Sequence, residues 1–362
     1  MNNPARIETD TLGEVNFPQE AFYGHQTQAA VENVAVSGLT MPRSFLRALG
    51  LFKYACAAAN QDLARLDDER AQAIQKVALE VAQGLHDPEF GMDIFQMGDG
   101  SIMDSTANNV ITRYAQRSCR LPVNSHHHVN HSQQTDRTIS ACMQVAVLLD
   151  IHEQLLPAQQ KLVDTLVQDA SPLVTQVKTS WQTIRQFVNW SAQIQQAIKQ
   201  IKLASLTLSE LPMGNHEPFD TEFIYHLPAY LNNQTRLKFC VQSNPLAGIT
   251  PQDRVVAISG QLRILALNLM HICQEVESLQ QNKQSEQEAA VMACVQVIGN
   301  DAAITLAAQL NHSGSRRMVS VITYNLLQSI SLLSSAAHLL ADRTFSNVFN
   351  LRHPNNANTH KE

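Results

Sequence analysis

VVAISGQLRILALNLMHICQEV, residues 255–276, is the stretch of sequence from which the fold can be predicted. Its apolar residues recur at alternating steps of three and four. They are Val255, Ile258, Leu262, Leu265, Leu269, Ile272 and Val276. This spacing places one apolar stripe along one side of a helix, a pattern typical of long helices that pack almost parallel or antiparallel. The stretch therefore predicts a bundle of long helices.

The same apolar character continues towards the C-terminus. Between Ala289 and Leu310 the only charged residue is Asp301. A helix that is apolar on nearly every side must be covered on nearly every side. Helical spacing follows again in Val319, Ile322, Leu326, Ile330 and Leu333. We therefore predict an all-α fold whose helices are covered by other copies of the chain; an internal helix of a monomeric bundle is the alternative.

Composition and charge exclude several classes of partner. Of the 362 residues, 44% are hydrophobic and only 16% are charged, and the formal net charge is −6. The small charged share agrees with helical surface that is covered by partner subunits. Because no basic segment is available to neutralise phosphates, we do not expect nucleic acid as a partner.

The termini and cysteines indicate the compartment. The N-terminal sequence MNNPARIETD is polar, and we find no run of about 18 apolar residues, the length that a membrane-spanning helix requires. The six cysteines are scattered without a C-x-x-C pair, so we expect free thiols in a reducing compartment. These features predict a cytoplasmic protein that does not bind membranes.

A family resemblance rests on several segments taken in order and spacing. They are RIETDTLGEVNFPQEAFYGHQTQAAVENVAVSG (6–38), HDPEFGMDIFQMGDGSIMDSTANNVITRYA (86–115), VNHSQQTDRTISACMQVAVLL (129–149), and CVQVIGNDAAITL (294–306) followed by YNLLQSISLL (324–333). Together they resemble class II fumarase, so the chain is identified as a member of the fumarase/aspartase superfamily.

The resemblance implies an architecture and an assembly. We expect a small N-terminal domain of irregular and helical structure over residues 1–134 and a central bundle of long helices over 135–342. A polar tail over 343–362 would follow. The family associates into tetramers whose active sites take residues from three subunits, so a homotetramer is expected.

The family reaction is the reversible hydration of fumarate to L-malate, which needs neither a cofactor nor a metal. The implied ligand is thus a C4-dicarboxylate. Positions that match the family's substrate-binding segments are Ser101, Asn108, Asn130, Gln133, Gln134, Thr135, Asp136, Lys178, Thr179 and Ser180.

The sequence departs from the family where the chemistry takes place. The catalytic loop GSSxMPxKxN, which supplies the base and a lysine, is absent, and residues 278–288 read SLQQNKQSEQE instead. Ser180 stands where the family has a histidine, and Asp99, Asp104 and Asp136 replace hydroxyl or amide groups. Each like-charge contact with a dianion would cost roughly 3–4 kcal/mol at an effective dielectric of 20. We therefore predict no catalytic residue and weak dicarboxylate binding.

A histidine cluster, His126, His127, His128 and His131, lies where the family binds a second dicarboxylate. We interpret it as a solvated loop. Contact of a protonated imidazole with an anion and ligation of a metal are the alternatives, because clustered imidazoles can bind zinc or nickel. Adjacent histidines do not define a tetrahedral site, so we predict no metal.

Two functional hypotheses follow. The first is a fumarase-like protein in which catalysis is impaired or lost. The alternative is a catalytically silent structural or regulatory homologue that forms homo-oligomers or hetero-oligomers with a related fumarase.

Overall fold

The computed structural model describes residues 5–10, 13–18, 36–175, 181–213, 221–242, 251–280, 285–310 and 318–345. Strands β1 (Ala5–Asp10) and β2 (Gly13–Pro18) form an antiparallel hairpin, and β3 (Glu210–Leu211) pairs in parallel with β4 (Cys240–Val241). The α-helices are α1 (Arg43–Asp62), α2 (Asp68–Gln83), α3 (Ser101–Gln116), α4 (Thr135–Asp150), α5 (Leu156–Thr175), α6 (Trp181–Ser205), α7 (Thr221–Thr235), α8 (Pro251–Gln280), α9 (Ser285–Leu310) and α10 (Val319–Leu339).

The prediction of an all-α bundle of long helices is confirmed. The apolar stripe that begins at Val255 and ends at Val276 lies on α8, and each of its residues is at most 2% exposed. Its spacing therefore marks the buried side of the helix, as the 3-4 repeat requires.

The chain divides into two compact units. The first unit comprises residues 1–149, 208–253 and 306–324, and the second comprises 150–207, 254–305 and 325–362. The domain boundaries predicted from the sequence, at residues 134 and 342, stay a prediction.

In the first unit, α1 packs closely against α2. A Cβ atom placed on Gly50 would lie 2.5 Å from the carbonyl oxygen of Ala78 and 2.5 Å from the amide nitrogen of Ala82. Because real Cβ atoms do not approach backbone so closely, only glycine allows α1 to reach this position. Helix α2 begins with an Asp67 side chain that accepts a hydrogen bond from the Arg70 N–H, and it ends at Gly84 with a φ of 91°.

Asp93 fixes the segment that precedes α1. Its carboxylate accepts hydrogen bonds from the N–H groups of Ser37 (2.6 Å), Gly38 (2.7 Å) and Phe95 (2.9 Å). Burial would raise the pKa of Asp93, but these donors outweigh it and lower the pKa to about 2. The carboxylate thus stays ionised and holds this turn together at any pH above the acid range.

In the second unit, the IGND segment of α9 joins neighbouring helices through polar contacts. Asp301 accepts hydrogen bonds from the Ser259 hydroxyl (2.6 Å) and the Arg263 guanidinium (2.7 Å) of α8. The Asn300 amide donates to the side chains of Gln328 (2.9 Å) and Ser329 (3.1 Å) on α10. Adjacent residues of α9 therefore fix its register against two helices.

Three described helical stretches are long and apolar enough to cross a membrane by length and composition. They are Thr135–Gln168, Asp253–Glu277 and Ser285–Leu310, with 83%, 44% and 33% of their apolar windows buried. The same composition suits helices that pack in a bundle, and the low buried shares of the last two agree with cover from other copies. The absence of a membrane span stays a prediction.

We expect Asp301→Ala to lower the free energy of unfolding by about 2–3 kcal/mol, because hydrogen bonds to charged groups contribute about 1.5–3 kcal/mol. Most of the loss should come from the buried Ser259 hydroxyl, since the Arg263 side chain is half exposed. Urea unfolding followed by circular dichroism measures it. Ser285→Ala, which removes an exposed hydroxyl from the same helix, is the control and should change stability by no more than about 0.5 kcal/mol. Equal effects from both variants would contradict the assignment.

Candidate functional site

A single lysine carries charge into the apolar core of the first unit. Lys53 is the only charged residue between Arg47 and Asp62 on α1, and its side chain is 0% exposed. Phe52 and Cys56, beside it on the helix, are also fully buried. A buried ammonium needs compensation by an anion and by hydrogen-bond acceptors.

Three oxygen atoms from different parts of the chain surround the Lys53 ammonium. The Asp104 Oδ1 atom of α3 forms an ion pair with it at 2.6 Å. The ammonium also donates hydrogen bonds to Asn130 Oδ1 (3.1 Å) and Gln133 Oε1 (2.8 Å), which follow the π-helical turn Ser125–Val129. Two neutral acceptors and one carboxylate thus compensate the buried ammonium.

The second carboxylate oxygen of Asp104 extends the network to α4. Its Oδ2 atom accepts a hydrogen bond from the Thr135 hydroxyl at 2.8 Å. Helices α3 and α4 can approach here because the residue that precedes α3 is Gly100, with a φ of +85°, where a Cβ atom would lie 2.6 Å from Ile139 Cγ2. The close approach of these two helices, which the network needs, therefore requires a glycine at residue 100.

The structure brings together three of the residues predicted to bind substrate. Asn130, Gln133 and Thr135 meet around Lys53 and Asp104. Their side chains are only partly buried, whereas Lys53 and Asp104 are enclosed. The network thus has a buried charged centre and a polar side nearer the surface.

Of the other predicted positions, the four that the structure describes lie outside this network. Ser101 is exposed, and its N–H donates to the Asp99 carboxylate at 2.9 Å. Asn108 is buried on α3, and none of the described residues forms a hydrogen bond with its Oδ1 atom. Gln134 is exposed, and the Asp136 carboxylate accepts from the Arg137 N–H at 2.9 Å.

The remaining predicted residues, Lys178, Thr179 and Ser180, lie outside the described residues. Their proposed part in substrate binding stays a prediction.

One expectation about charge needs correction. Asp104 was expected to add a negative charge to a pocket for dianions, but its charge is paired with that of Lys53. Sequence reasoning missed Lys53, although a solitary lysine in the otherwise apolar sequence LGLFKYACAAAN was the available signal. A charge inside an apolar helix face needs a buried partner, and Asp104 is that partner.

Two thiols lie in the same electrostatic environment. Burial raises the pKa of Cys56 and of Cys142 far above the ordinary range, with Lys53 lowering and Asp104 raising these pKa values to a smaller extent. Buried thiols that stay protonated do not act as nucleophiles. Cys56 and Cys142 therefore contribute packing here.

The histidine cluster has its own local contacts. The His128 Nδ1 atom accepts a hydrogen bond from the Asn124 N–H at 2.9 Å, and the rings of His126 and His127 meet edge to face at 5.5 Å. Burial and the nearby Arg70 lower the pKa of His128, which disfavours the protonated form that an anion contact requires. Within the part of the chain that the structure describes, no three His, Cys, Asp or Glu side chains are grouped to hold a metal ion.

We expect Lys53→Met and Asp104→Asn each to lower the free energy of unfolding by about 3–5 kcal/mol, because each leaves a buried group without its partner. The double variant should lose less than the sum, since the two residues share one interaction. Urea unfolding of all four proteins measures the coupling. Lys161→Met, at an exposed ion pair with Asp342, is the matched control and should cost no more than about 1 kcal/mol. Additive losses would show that Lys53 and Asp104 act separately.

Comparison with known proteins agrees with this architecture. A family model described as Lyase matches residues 13–293. The chain is 32% identical to a class II fumarate hydratase of Xylella fastidiosa, over 93% of this chain and 80% of that protein. It is 34% identical to fumarate hydratase class II 2 of Pseudomonas aeruginosa, over 94% and 83%.

Solved structures share the fold. A class II fumarase from Schistosoma mansoni superposes with a TM-score of 0.84 at 24% identity, covering 94% of this chain and 84% of that one. A Brucella melitensis protein described as fumarate lyase:delta crystallin superposes with a TM-score of 0.83 at 24% identity, covering 94% and 87%. With the family match over most of its length and with relatives above 30% identity, the chain belongs to the fumarase/aspartase superfamily of lyases, among relatives that are class II fumarases.

Proposed function

We propose that this chain is a class II fumarase-like protein in which the hydration of fumarate to L-malate is impaired or lost. One observation carries the proposal: α8 ends at Gln280 and α9 begins at Ser285, so only four residues separate them. The loop signature GSSxMPxKxN, to which the family's base and lysine belong, has ten positions. This signature is absent from the sequence, and the four residues between the two helices are fewer than its ten positions, which supports the proposal.

The magnitude of the expected loss follows from the roles of the missing groups. A general acid or base contributes roughly 10²–10⁴-fold to a rate, and one donor to a developing oxyanion contributes roughly 10²–10³-fold. These factors are not additive within one catalytic unit. Loss of the base and the lysine together should nonetheless leave little turnover.

The buried network supports the same proposal. The resemblance predicts that Thr135 binds substrate, but its hydroxyl donates a hydrogen bond to Asp104. Asn130 and Gln133 direct their side-chain oxygens at Lys53. These three side chains, which the resemblance assigns to dicarboxylate binding, thus form hydrogen bonds with other residues of the chain. Such contacts agree with weak dicarboxylate binding.

We expect the purified chain to hydrate fumarate at less than about 1 s⁻¹, the low end of ordinary enzyme turnover. The ultraviolet absorbance of fumarate, followed from both the fumarate and the malate side, measures the rate. A class II fumarase assayed in the same buffer is the positive control. Turnover at or above about 1 s⁻¹ would contradict the proposal.

The retained role that we propose is assembly. In the second unit, large apolar side chains of α8 and α9 are exposed, with exposed fractions from 43% to 66%: Ile264, Leu267, Met292 and Val295. We call these residues the exposed apolar set. Within each helix they are three positions apart and so share a face. Contact with further copies of the chain, in a homotetramer, would remove this apolar area from water.

We expect Leu267→Glu combined with Met292→Glu to convert the assembled protein into smaller species, because each carboxylate would be buried without a partner. Size-exclusion chromatography with light scattering gives the mass. Tyr225→Glu, at a side chain that is 73% exposed on α7, is the matched control and should leave the mass unchanged. A wild-type chain that is monomeric at micromolar concentration would contradict assembly.

A related fumarase is the alternative partner, with which this chain would form hetero-oligomers. Mixing and refolding this chain with a full-length class II fumarase, followed by native mass spectrometry, separates the two cases. Hybrid oligomers would support a regulatory or structural subunit, whereas homo-oligomers alone would restrict assembly to copies of this chain.

A further inference from the structure

We propose that Lys53 and Thr135 form a carboxylate-binding site, and that Asp104 fills this site from within the chain. The inference extends the proposed function, because it names what occupies the polar groups that no longer face a substrate. It rests on the geometry of the buried network, and its test reads stability without any assay of turnover. Failure of the test and failure of the proposed function are therefore distinguishable.

The two oxygen atoms of Asp104 are bound as those of a small carboxylate ligand would be. One faces the Lys53 ammonium at 2.6 Å, and the other accepts the Thr135 hydroxyl at 2.8 Å. A cation on one oxygen and a neutral donor on the other are the partners that recognise a carboxylate. Since Asp104 is only 1% exposed, this arrangement is shielded from competing water.

The rest of the site is neutral. The other two oxygens near the Lys53 ammonium belong to the side-chain amides of Asn130 and Gln133. Among the contacts that the described residues make with Lys53, Asp104 alone supplies negative charge. Removal of that carboxylate leaves a buried cation whose neutral acceptors stay in place, and such a cation attracts an anion of the right size.

Size defines the ligand class. Asp104→Ala deletes one carboxylate group and keeps Cβ, so the space created matches formate, while acetate carries a methyl group too many. The enclosure of Asp104 and Lys53 should exclude dicarboxylates altogether. In the native chain Asp104 holds the site closed, as an autoinhibitory contact against external carboxylates.

The test is the thermal stability of full-length Asp104→Ala in sodium formate and in sodium chloride of equal ionic strength. Formate should bind only the folded state, so at ten times its Kd it should raise the Tm of the 362-residue chain by roughly 2 °C. Acetate should have a smaller effect, and neutral formamide, which has the shape of formate without its charge, should have none. The wild-type protein should show no difference between formate and chloride.

Lys53→Met combined with Asp104→Ala is the matched control, because it keeps the space and removes the cation. Formate should no longer stabilise this double variant. If Asp104→Ala does not fold in chloride, the yield of folded protein on refolding in formate replaces the Tm as the readout. An equal response to formate and formamide, a formate effect that persists without Lys53, or a variant that neither formate nor chloride brings to the folded state would overturn the proposal.

Discussion

The first unit is organised around the need to balance one ammonium ion inside an apolar core. An isolated buried charge costs far more than a folded protein can spare, so Lys53 can be enclosed only if an anion and further acceptors come with it. Asp104 on α3, Asn130 and Gln133 before α4, and Thr135 at the start of α4 meet this need. Helices distant in sequence are therefore held in one arrangement, because any displacement of α1 would separate the charges.

In the second unit, too, buried polar groups with fixed partners join neighbouring helices. Asp301 is the single charged residue of an apolar stretch, and it is enclosed against Ser259 while it pairs with the half-exposed Arg263. The side chain of its neighbour Asn300 donates hydrogen bonds to α10. Apolar packing alone would let long helices slide, since one apolar stripe resembles the next. Polar groups with fixed partners select one register, a known use of buried polar residues in helical bundles.

The sequence predicted the fold better than the site. The stripe that begins at Val255 is a local pattern, and burial follows from its period without knowledge of any other helix. Resemblance also placed Asn130, Gln133 and Thr135 in one group, which the structure brings together. The partner of Asp104 could not be predicted from a local pattern or from the resemblance. Lys53 lies 51 positions earlier, and only tertiary packing brings the two side chains together. Without knowledge of Lys53, the Asp104 carboxylate is predicted to repel a dicarboxylate. In the folded chain it compensates the charge of the Lys53 ammonium.

The pairing of Asp104 with Lys53 also bears on why an acidic residue stands at this position. In a site that still had to bind a dianion, a carboxylate at residue 104 would cancel the charge of Lys53 and accept the hydrogen bond of the Thr135 hydroxyl, so that neither group could serve the ligand. Under the proposed loss of catalysis, a chain that does not turn over a dicarboxylate has no need to keep this cation and this hydroxyl for a ligand. The enclosed Lys53 ammonium still needs an anion, and Asp104 supplies one from within the chain. The charge balance of the core thus accounts for a carboxylate at residue 104 on its own terms, because Asp104 supplies the anion that the enclosed Lys53 ammonium needs.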